Sequence, residues 1–398
     1  MRIGMMTDAY KPHVSGVTQY ISLNKRYLEA AGHSVFVFTL GDMDYPDDEL
    51  HIVRSPGLPL SDTGFSFNFR YSKAARRKVQ LMDVVHVQHP FLTGRLALRY
   101  CKPRSIPVIF TNHTRYDLYT QAYLPFLPEQ VGLTLLQAYL PRFADVCDLV
   151  VAPSAGMERV LRQLGVTCPV EIVPNGVELQ PFLEPAHRPS RAELGLPPGG
   201  LVLVYVGRLG PEKNLPLLLS AFAGALDAYS ELTLVIAGSG PELDHLRDQA
   251  RRAGIAERVI FLGMVPYPEL PGVLAAADIF VTASVSEAHP FSVIEALAAS
   301  LPVLGIDSPG VGDIIQDGHN GFLSQNGLAS FTARMVRLVM DEPARKQMAA
   351  NARQSSYKFD IERTSAILLE HYYRLAAQGG KPRHGLAGLG DRLRSHFS

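Results

Sequence analysis

The sequence predicts an α/β protein built from two doubly wound, Rossmann-like domains facing each other across a cleft. Three observations carry this. Short, continuously apolar runs recur along the chain and alternate with longer amphipathic stretches, the pattern of parallel strands covered by helices on both faces. The pattern occurs twice, on either side of a segment rich in proline and glycine. The 398 residues also suffice for two domains at roughly 100–200 residues each.

In the first half, strands are expected at Arg2–Thr7, Val35–Leu40, Val84–Val87, Pro107–Thr111, Leu149–Ala152 and Val170–Val173. Helices such as Val17–Ala31 and Ala155–Leu164 fall between them. Thr120–Leu140, apolar with two internal prolines, reads as a core helix hairpin. It carries few cations, which argues against lipid docking. The first domain is placed at 1–185 and a linker at 186–200. The second domain, 201–375, repeats the plan with strands at Leu201–Gly207, Leu232–Gly238, Val259–Gly263, Ile279–Ser284 and Pro302–Asp307. Residues 376–398, with five glycines from Gly379 onward, read as a flexible tail ending in a short, weak helix at Gly390–Phe397. In doubly wound sheets ligands collect beyond the carboxyl ends of the strands, and between two such domains the cleft is the expected site.

Composition narrows the classes. Hydrophobic residues make up 47% and charged residues 19%, which excludes a disordered chain. Lys and Arg total 38, as do Asp and Glu, so a globally basic nucleic-acid binder is not expected. The three cysteines, Cys101, Cys147 and Cys168, show no CxxC spacing and fit a reducing compartment. The opening MRIGMMTDAYKPHVSG lacks the basic-then-apolar layout of a secretory signal, and no run of about 18 apolar residues occurs. A cytoplasmic protein is expected, with peripheral attachment to the inner face of the plasma membrane as an extension of that reading. The extension rests on Ser66–Arg104, where nine cations, among them Arg76, Arg77 and Lys78, meet the single acid Asp83. Such a segment faces an anionic partner or is simply a solvated helix surface.

Four segments carry residues suited to chemistry. TDAYKPHVSGV, Thr7–Val17, joins a strand to a helix through Gly16, so backbone N–H groups can approach an anion or a sugar hydroxyl; an ordinary βα turn is the alternative. YVGRLGPEKN, Tyr205–Asn214, puts Arg208 and Lys213 at the carboxyl end of a strand, where two cations can neutralise a diphosphate without a metal; alone they are equally surface charges. SEAHPFSVIEALA, Ser286–Ala298, places Glu287 in a loop and Glu295 eight positions on, inside the following helix, so the two carboxylates lie at different depths. IFTNHTRYDLY, Ile109–Tyr119, sets His113 just past a strand, as a cleft-facing polar group or a structural imidazole. The one DxD, Asp42–Asp44, has no second motif converging on it, and no metal site is expected.

Together these segments resemble the family-4 glycosyltransferases of the GT-B fold, over Met1 to about residue 375. The resemblance rests on GRLGPEKN (Gly207–Asn214), IAGSGPE (Ile236–Glu242), FLGMV (Phe261–Val265), the E-x7-E pair Glu287/Glu295 and DGHNGFL (Asp317–Leu323), in the family's order. The amino-terminal half is similar to the lipid-glycosylating branch, the diacylglycerol glucosyltransferases. TDAYKPHVSGV looks like their TDxYxPxxxGV opening, and HTRYDLY (His113–Tyr119) like their HTxYxxY segment.

The resemblance implies a retaining hexosyltransferase that needs no metal or other cofactor. It would move a hexose from a nucleoside diphosphate sugar, UDP-glucose in preference, to a membrane lipid such as diacylglycerol. Arg208 and Lys213 would bind the donor diphosphate, Glu287 the sugar's C3 and C4 hydroxyls, Glu295 the ribose. Val265 would lie beside the base, Gly16 near the diphosphate and sugar, and His113 by the sugar's C6 hydroxyl or the acceptor. Arg115 and Tyr116, with Arg76, Arg77 and Lys78, would form the acceptor and membrane side. A soluble or lipid-linked glycan acceptor, or a non-catalytic nucleotide-sugar binding module, are the alternatives. Two departures stand out. Pro290 occupies a position usually held by glycine and has no N–H, although Phe291 and Ser292 keep theirs for sugar or phosphate oxygens. SPGVGD (Ser308–Asp313) stands where relatives often carry a GGxxE-like segment.

Overall fold

The computed structural model describes residues 1–59, 66–68, 70–118 and 129–379. The chain divides into two compact units. The first comprises Met1–Pro153, Leu161–Val173 and the stretch from Ser365 onward; the second comprises Ser154–Val160 and Pro174–Thr364.

The first unit holds a seven-stranded parallel sheet of order β3-β2-β1-β6-β7-β8-β9. Its strands are β1 (Arg2–Met6), β2 (Ser34–Leu40), β3 (Ile52–Ser55), β6 (Val84–Val87), β7 (Val108–Thr111), β8 (Leu149–Ala152) and β9 (Val170–Ile172). A small antiparallel pair, β4 (Leu58–Pro59) and β5 (Ser66–Phe67), stands apart. The central strands are mostly apolar because both faces are covered: Ile3, Met5, Val37, Val85 and Ile109 are fully buried. The helix Gly16–Ala30 starts where the Ser15 hydroxyl accepts the Thr18 N–H at 3.2 Å, and it buries Tyr20, Ile21 and Leu28. The strand order reverses between β1 and β6. The carboxyl ends of those two strands are therefore the topological switch point, where an open α/β sheet leaves a crevice.

The second unit holds a six-stranded parallel sheet of order β12-β11-β10-β13-β14-β15. Its strands are β10 (Val202–Val206), β11 (Thr233–Ala237), β12 (Val259–Gly263), β13 (Ile279–Thr282), β14 (Val303–Ile306) and β15 (Gly321–Ser324). Leu203, Leu218, Phe222, Leu234, Ile236 and Phe331 lie at the heart of its core. The switch point falls between β10 and β13.

The structure draws its divisions elsewhere than the linker 186–200 and the domain ends at 185 and 375. Residues 186–200 belong to the second unit: Leu196 is buried, and the Arg191 guanidinium donates to the Gly200 carbonyl at 2.9 Å and to Asp278 at 3.3 Å. The helix Ile361–Gln378 leaves the second unit at Thr364 and packs into the first, where Leu368 and Tyr372 are buried. The strands β3 and β15 escape the sequence pattern. IVRS is short and only its serine is buried, while GFLS opens on a glycine. Of the expected flexible tail, 376–398, residues 376–378 continue the helix Ile361–Gln378 and 380–398 lie outside the described residues, as does 119–128, the proline-containing part of the expected hairpin. Glu129–Val146 is a single helix.

Candidate active site

In the second unit, three motif loops converge beyond the carboxyl ends of β10, β11 and β12, held by backbone contacts. The Gly207 N–H donates to the Ala237 carbonyl (3.0 Å), the Leu209 N–H to Ser239 (2.8 Å) and the Gly238 N–H to Gly263 (2.7 Å). This lacing explains the glycines. Gly238 has φ +154°, and a Cβ there would sit 1.9 Å from the Gly207 carbonyl oxygen, so only glycine fits.

The same loop carries Lys213 on a 3-10 turn, Pro211–Lys213, followed by Asn214 in the left-handed region at φ +53°. Lys213 Nζ lies 2.6 Å from Glu287 Oε1, with 16% and 22% of the two side chains exposed. Glu287 sits in the loop between β13 and the helix Phe291–Ala298, and the Ser286 hydroxyl fastens that loop by donating to the Glu212 carbonyl at 3.2 Å. Arg208 is not drawn into the pair. Its side chain is 67% exposed and 3.9 Å from Glu212. Glu295 is buried inside the helix, deeper than Glu287, as their spacing predicts. Phe291 and Ser292 form the first turn of that helix, whose N–H groups have no intrahelical partner. Val265 follows β12, half-buried beside the exposed Met264.

Both departures from the family pattern are structural. Pro290 is the N-cap of the helix at φ −70°, a conformation its ring already favours. His289 turns inward: its carbonyl accepts the Asn175 side-chain amide at 2.9 Å, its ring packs on Phe359, and burial pushes its pKa down to about 3. In SPGVGD, a Cβ on Gly310 would lie 2.5 Å from the Glu287 carbonyl oxygen, so the segment backs the Glu287 loop. The Asp313 carboxylate accepts the N–H groups of Gly310 (3.0 Å) and Gly156 (2.9 Å).

The first unit gathers polar side chains at its own switch point. After β6, His89 Nδ1 accepts the Asp8 N–H at 3.2 Å, and the Asp8 carboxylate accepts both the N–H (2.8 Å) and hydroxyl (2.6 Å) of Thr93. After β7, His113 Nε2 stands 2.7 Å from Gln88 Oε1. The Gln88 amide is oriented by its NH₂ donating to the His86 carbonyl at 3.3 Å, so its oxygen faces His113. His113 therefore carries its proton on Nε2 and a lone pair on Nδ1. Burial, with His86 and His89 nearby, holds His113 well below the ordinary imidazole pKa, so the ring is neutral at pH 7. Its position past the strand was legible in the sequence; Gln88, which sets its tautomer, was not.

Gly16 is the first residue of its helix, behind the exposed Val14. Tyr116 is a core ring, 2% exposed and edge-on to Phe91, and the Arg115 guanidinium is engaged by Asp117 at 2.7 Å. On the helix Lys73–Val79, Ala75 and Val79 face inward while Arg77 and Lys78 are exposed and Arg76 is half-buried; Lys78 lies over the Phe36 ring. Among the described residues no helix is long and apolar enough to cross a membrane, and no group of His, Cys, Asp and Glu forms a metal-binding cluster.

Residues 14–181 match the family model described as Glycosyltransferase Family 4, and residues 187–355 match that of Glycosyl transferases group 1. The alpha-monoglucosyldiacylglycerol synthase of Streptococcus pneumoniae is 34% identical over 328 residues, 80% of this chain and 74% of that one. The chain is a family-4 glycosyltransferase. The namesake synthase of Acholeplasma laidlawii is 29% identical to this transferase over 82% of the chain and 85% of its own length. The phosphatidyl-myo-inositol mannosyltransferase of Mycobacterium leprae is 24% identical, over 96% and 99%. Among solved structures, Anabaena HepE in complex with UDP and glucose superposes with a TM-score of 0.74 at 19% identity, over 94% of the transferase and 100% of that chain. This likeness establishes the GT-B fold of two Rossmann-like halves.

Proposed function

We propose that the protein transfers a hexose, with retention, from a nucleoside diphosphate sugar to the hydroxyl of a membrane lipid such as diacylglycerol, UDP-glucose being the favoured donor. The observation that carries the donor half is the Lys213–Glu287 pair, held at the switch point of the second sheet by the glycine-laced loops. Lys213 and Arg208 would stabilise the departing diphosphate, and Glu287 would accept hydrogen bonds from sugar hydroxyls. Glu295 would hold the ribose, with Val265 beside the base. The N–H groups of Phe291 and Ser292 would take sugar or phosphate oxygens, and Gly16 would lie near the diphosphate and sugar. Lys213, with Arg208, would take the part a metal plays elsewhere, so the reaction would proceed without one.

On the acceptor side, the Nδ1 lone pair of His113 can accept a hydrogen bond from a hydroxyl. The leaving phosphate is the base that takes the acceptor's proton. The lipid acceptor is favoured by the relatives named for glucosyldiacylglycerol synthesis and by the exposed cations of Lys73–Val79. Near an anionic surface each such cation contributes about 1 kcal/mol. With Arg115 and Tyr116 turned into the protein, that helix is the better candidate for the membrane side.

The test is transfer of label. Purified protein is incubated with labelled UDP-glucose, or separately GDP-mannose, and vesicles containing diacylglycerol and anionic lipid. Label from UDP-glucose in the organic phase supports the reading. Label confined to an aqueous product moves the acceptor to a soluble glycan, and binding of the donor without turnover leaves a binding module.

A further inference from the structure

Beneath His113 runs a buried polar chain that the proposed reaction does not use. Tyr372, on the helix Ile361–Gln378, is fully buried, and its hydroxyl stands 2.7 Å from His86 Nδ1. His86, also fully buried, stands with Nε2 2.6 Å from the Thr111 hydroxyl. Thr111 in turn hydrogen-bonds the Tyr20 hydroxyl. The Tyr20 ring lies against His113, centroid to centroid 4.5 Å, and edge-on to His86.

The polarity of this chain follows from the cost of orphaned donors. A buried phenol with one acceptor in reach donates to it, because an unsatisfied O–H is dearer than a spare lone pair. Tyr372 therefore donates to Nδ1, and His86 carries its proton on Nε2 and donates to the Thr111 hydroxyl, which is also bonded to Tyr20. The His86 carbonyl, meanwhile, orients the Gln88 amide that fixes the His113 tautomer. Both supports of His113, the Tyr20 ring and the Gln88 amide, are thus tied to His86.

We propose that Tyr372 is a positioning residue for His113, acting through His86, Thr111 and Tyr20 to fix where His113 presents its Nδ1 lone pair. The role rests on the transferase reading for its kinetic consequence, but not for its structural one. The helix Ile361–Gln378 would then set the aim of a group beyond the first sheet, 259 residues earlier.

The experiment uses the full chain labelled with ¹⁵N-histidine, with the His113 ring signals assigned by their loss in His113→Asn. Tyr372→Phe removes only the hydroxyl, and Tyr373→Phe, on the half-exposed neighbour, is the control. Expected for Tyr372→Phe are displaced His113 ring signals, kcat lowered on the order of tenfold and a donor KM within about twofold of the parent. In the His113→Asn background the same change should alter kcat less than about twofold, because the effect passes through His113. Thr111→Val breaks the chain at another link and should give the same pattern, which decides the matter if Tyr372→Phe does not fold. Unmoved His113 signals in folded variants, or an equal loss of kcat in the His113→Asn background, would overturn the proposal. A parent protein that transfers no sugar would overturn the transferase reading, while the ring signals still decide this one.

Discussion

Lys213 and Glu287, 74 residues apart in sequence, form a 2.6 Å ion pair at the carboxyl edge of the second sheet. Each neutralises the other while remaining partly open to solvent. On the proposed reading, a phosphate arriving at Lys213 and a hydroxyl arriving at Glu287 would find groups already oriented, as electrostatic preorganisation requires.

Gly238→Ala should destabilise the second unit by roughly 2 kcal/mol or more, since a Cβ there collides with the Gly207 carbonyl at a φ of +154°. Denaturant unfolding measures it. Gly254→Ala makes a contrast, because open space surrounds a Cβ there and only the left-handed φ of +70° resists it; a similar loss at both positions would mean that the loop lacing is not what requires Gly238.

Acid should weaken the fold through its buried imidazoles. His86 and His289 are held down to about 3 by burial, against about 6.5 in an unfolded chain. Below pH 6.5 the unfolded state binds protons that the folded state refuses, so stability rises with pH and is lost on acidification, by up to about 1.4 kcal/mol per pH unit for each group. Unfolding free energies at pH 7, 6 and 5 give the slope. His289→Gln should flatten it between pH 6.5 and 5, and an unchanged slope would contradict the assignment.

Arg77→Ala with Lys78→Ala should weaken binding to anionic vesicles on the order of 30-fold, about 2 kcal/mol for two surface cations, and leave donor binding intact. Sedimentation with and without anionic lipid reads this directly. Equal binding of parent and variant would remove the helix from the membrane side.

Turnover should persist in excess EDTA, because Arg208 and Lys213 are proposed to carry the charge of the leaving diphosphate. Loss of activity on chelation, restored by a divalent cation, would assign that charge to a metal instead.

Most strands were legible because burial on both faces makes them apolar, as in LVVA. β3 was not, since its Arg54 points to an ion pair with Asp47 at 2.7 Å and breaks the apolar run. Lys213, Glu287 and His113 could be picked out as polar groups just past strands. Their surroundings could not: Gln88 meets His113, and Tyr372 meets His86, through tertiary contacts that no local spacing encodes. Tyr116 misled for the opposite reason, an aromatic in a motif that packs on Phe91. Residues 365–375 fall inside the expected second domain, yet they pack with the first unit, because nothing in an amphipathic pattern says which sheet a helix's apolar face will meet.

The most direct measurement compares Lys213→Ala with the parent protein in the organic-phase label assay, beside thermal melts of both. The account predicts label from UDP-glucose with the parent, and a turnover on the order of 100- to 1,000-fold lower in the variant. The melting temperature should barely change, because a partly exposed pair adds about 1 kcal/mol at most. A folded Lys213→Ala protein that transfers label at the parent's rate would contradict it.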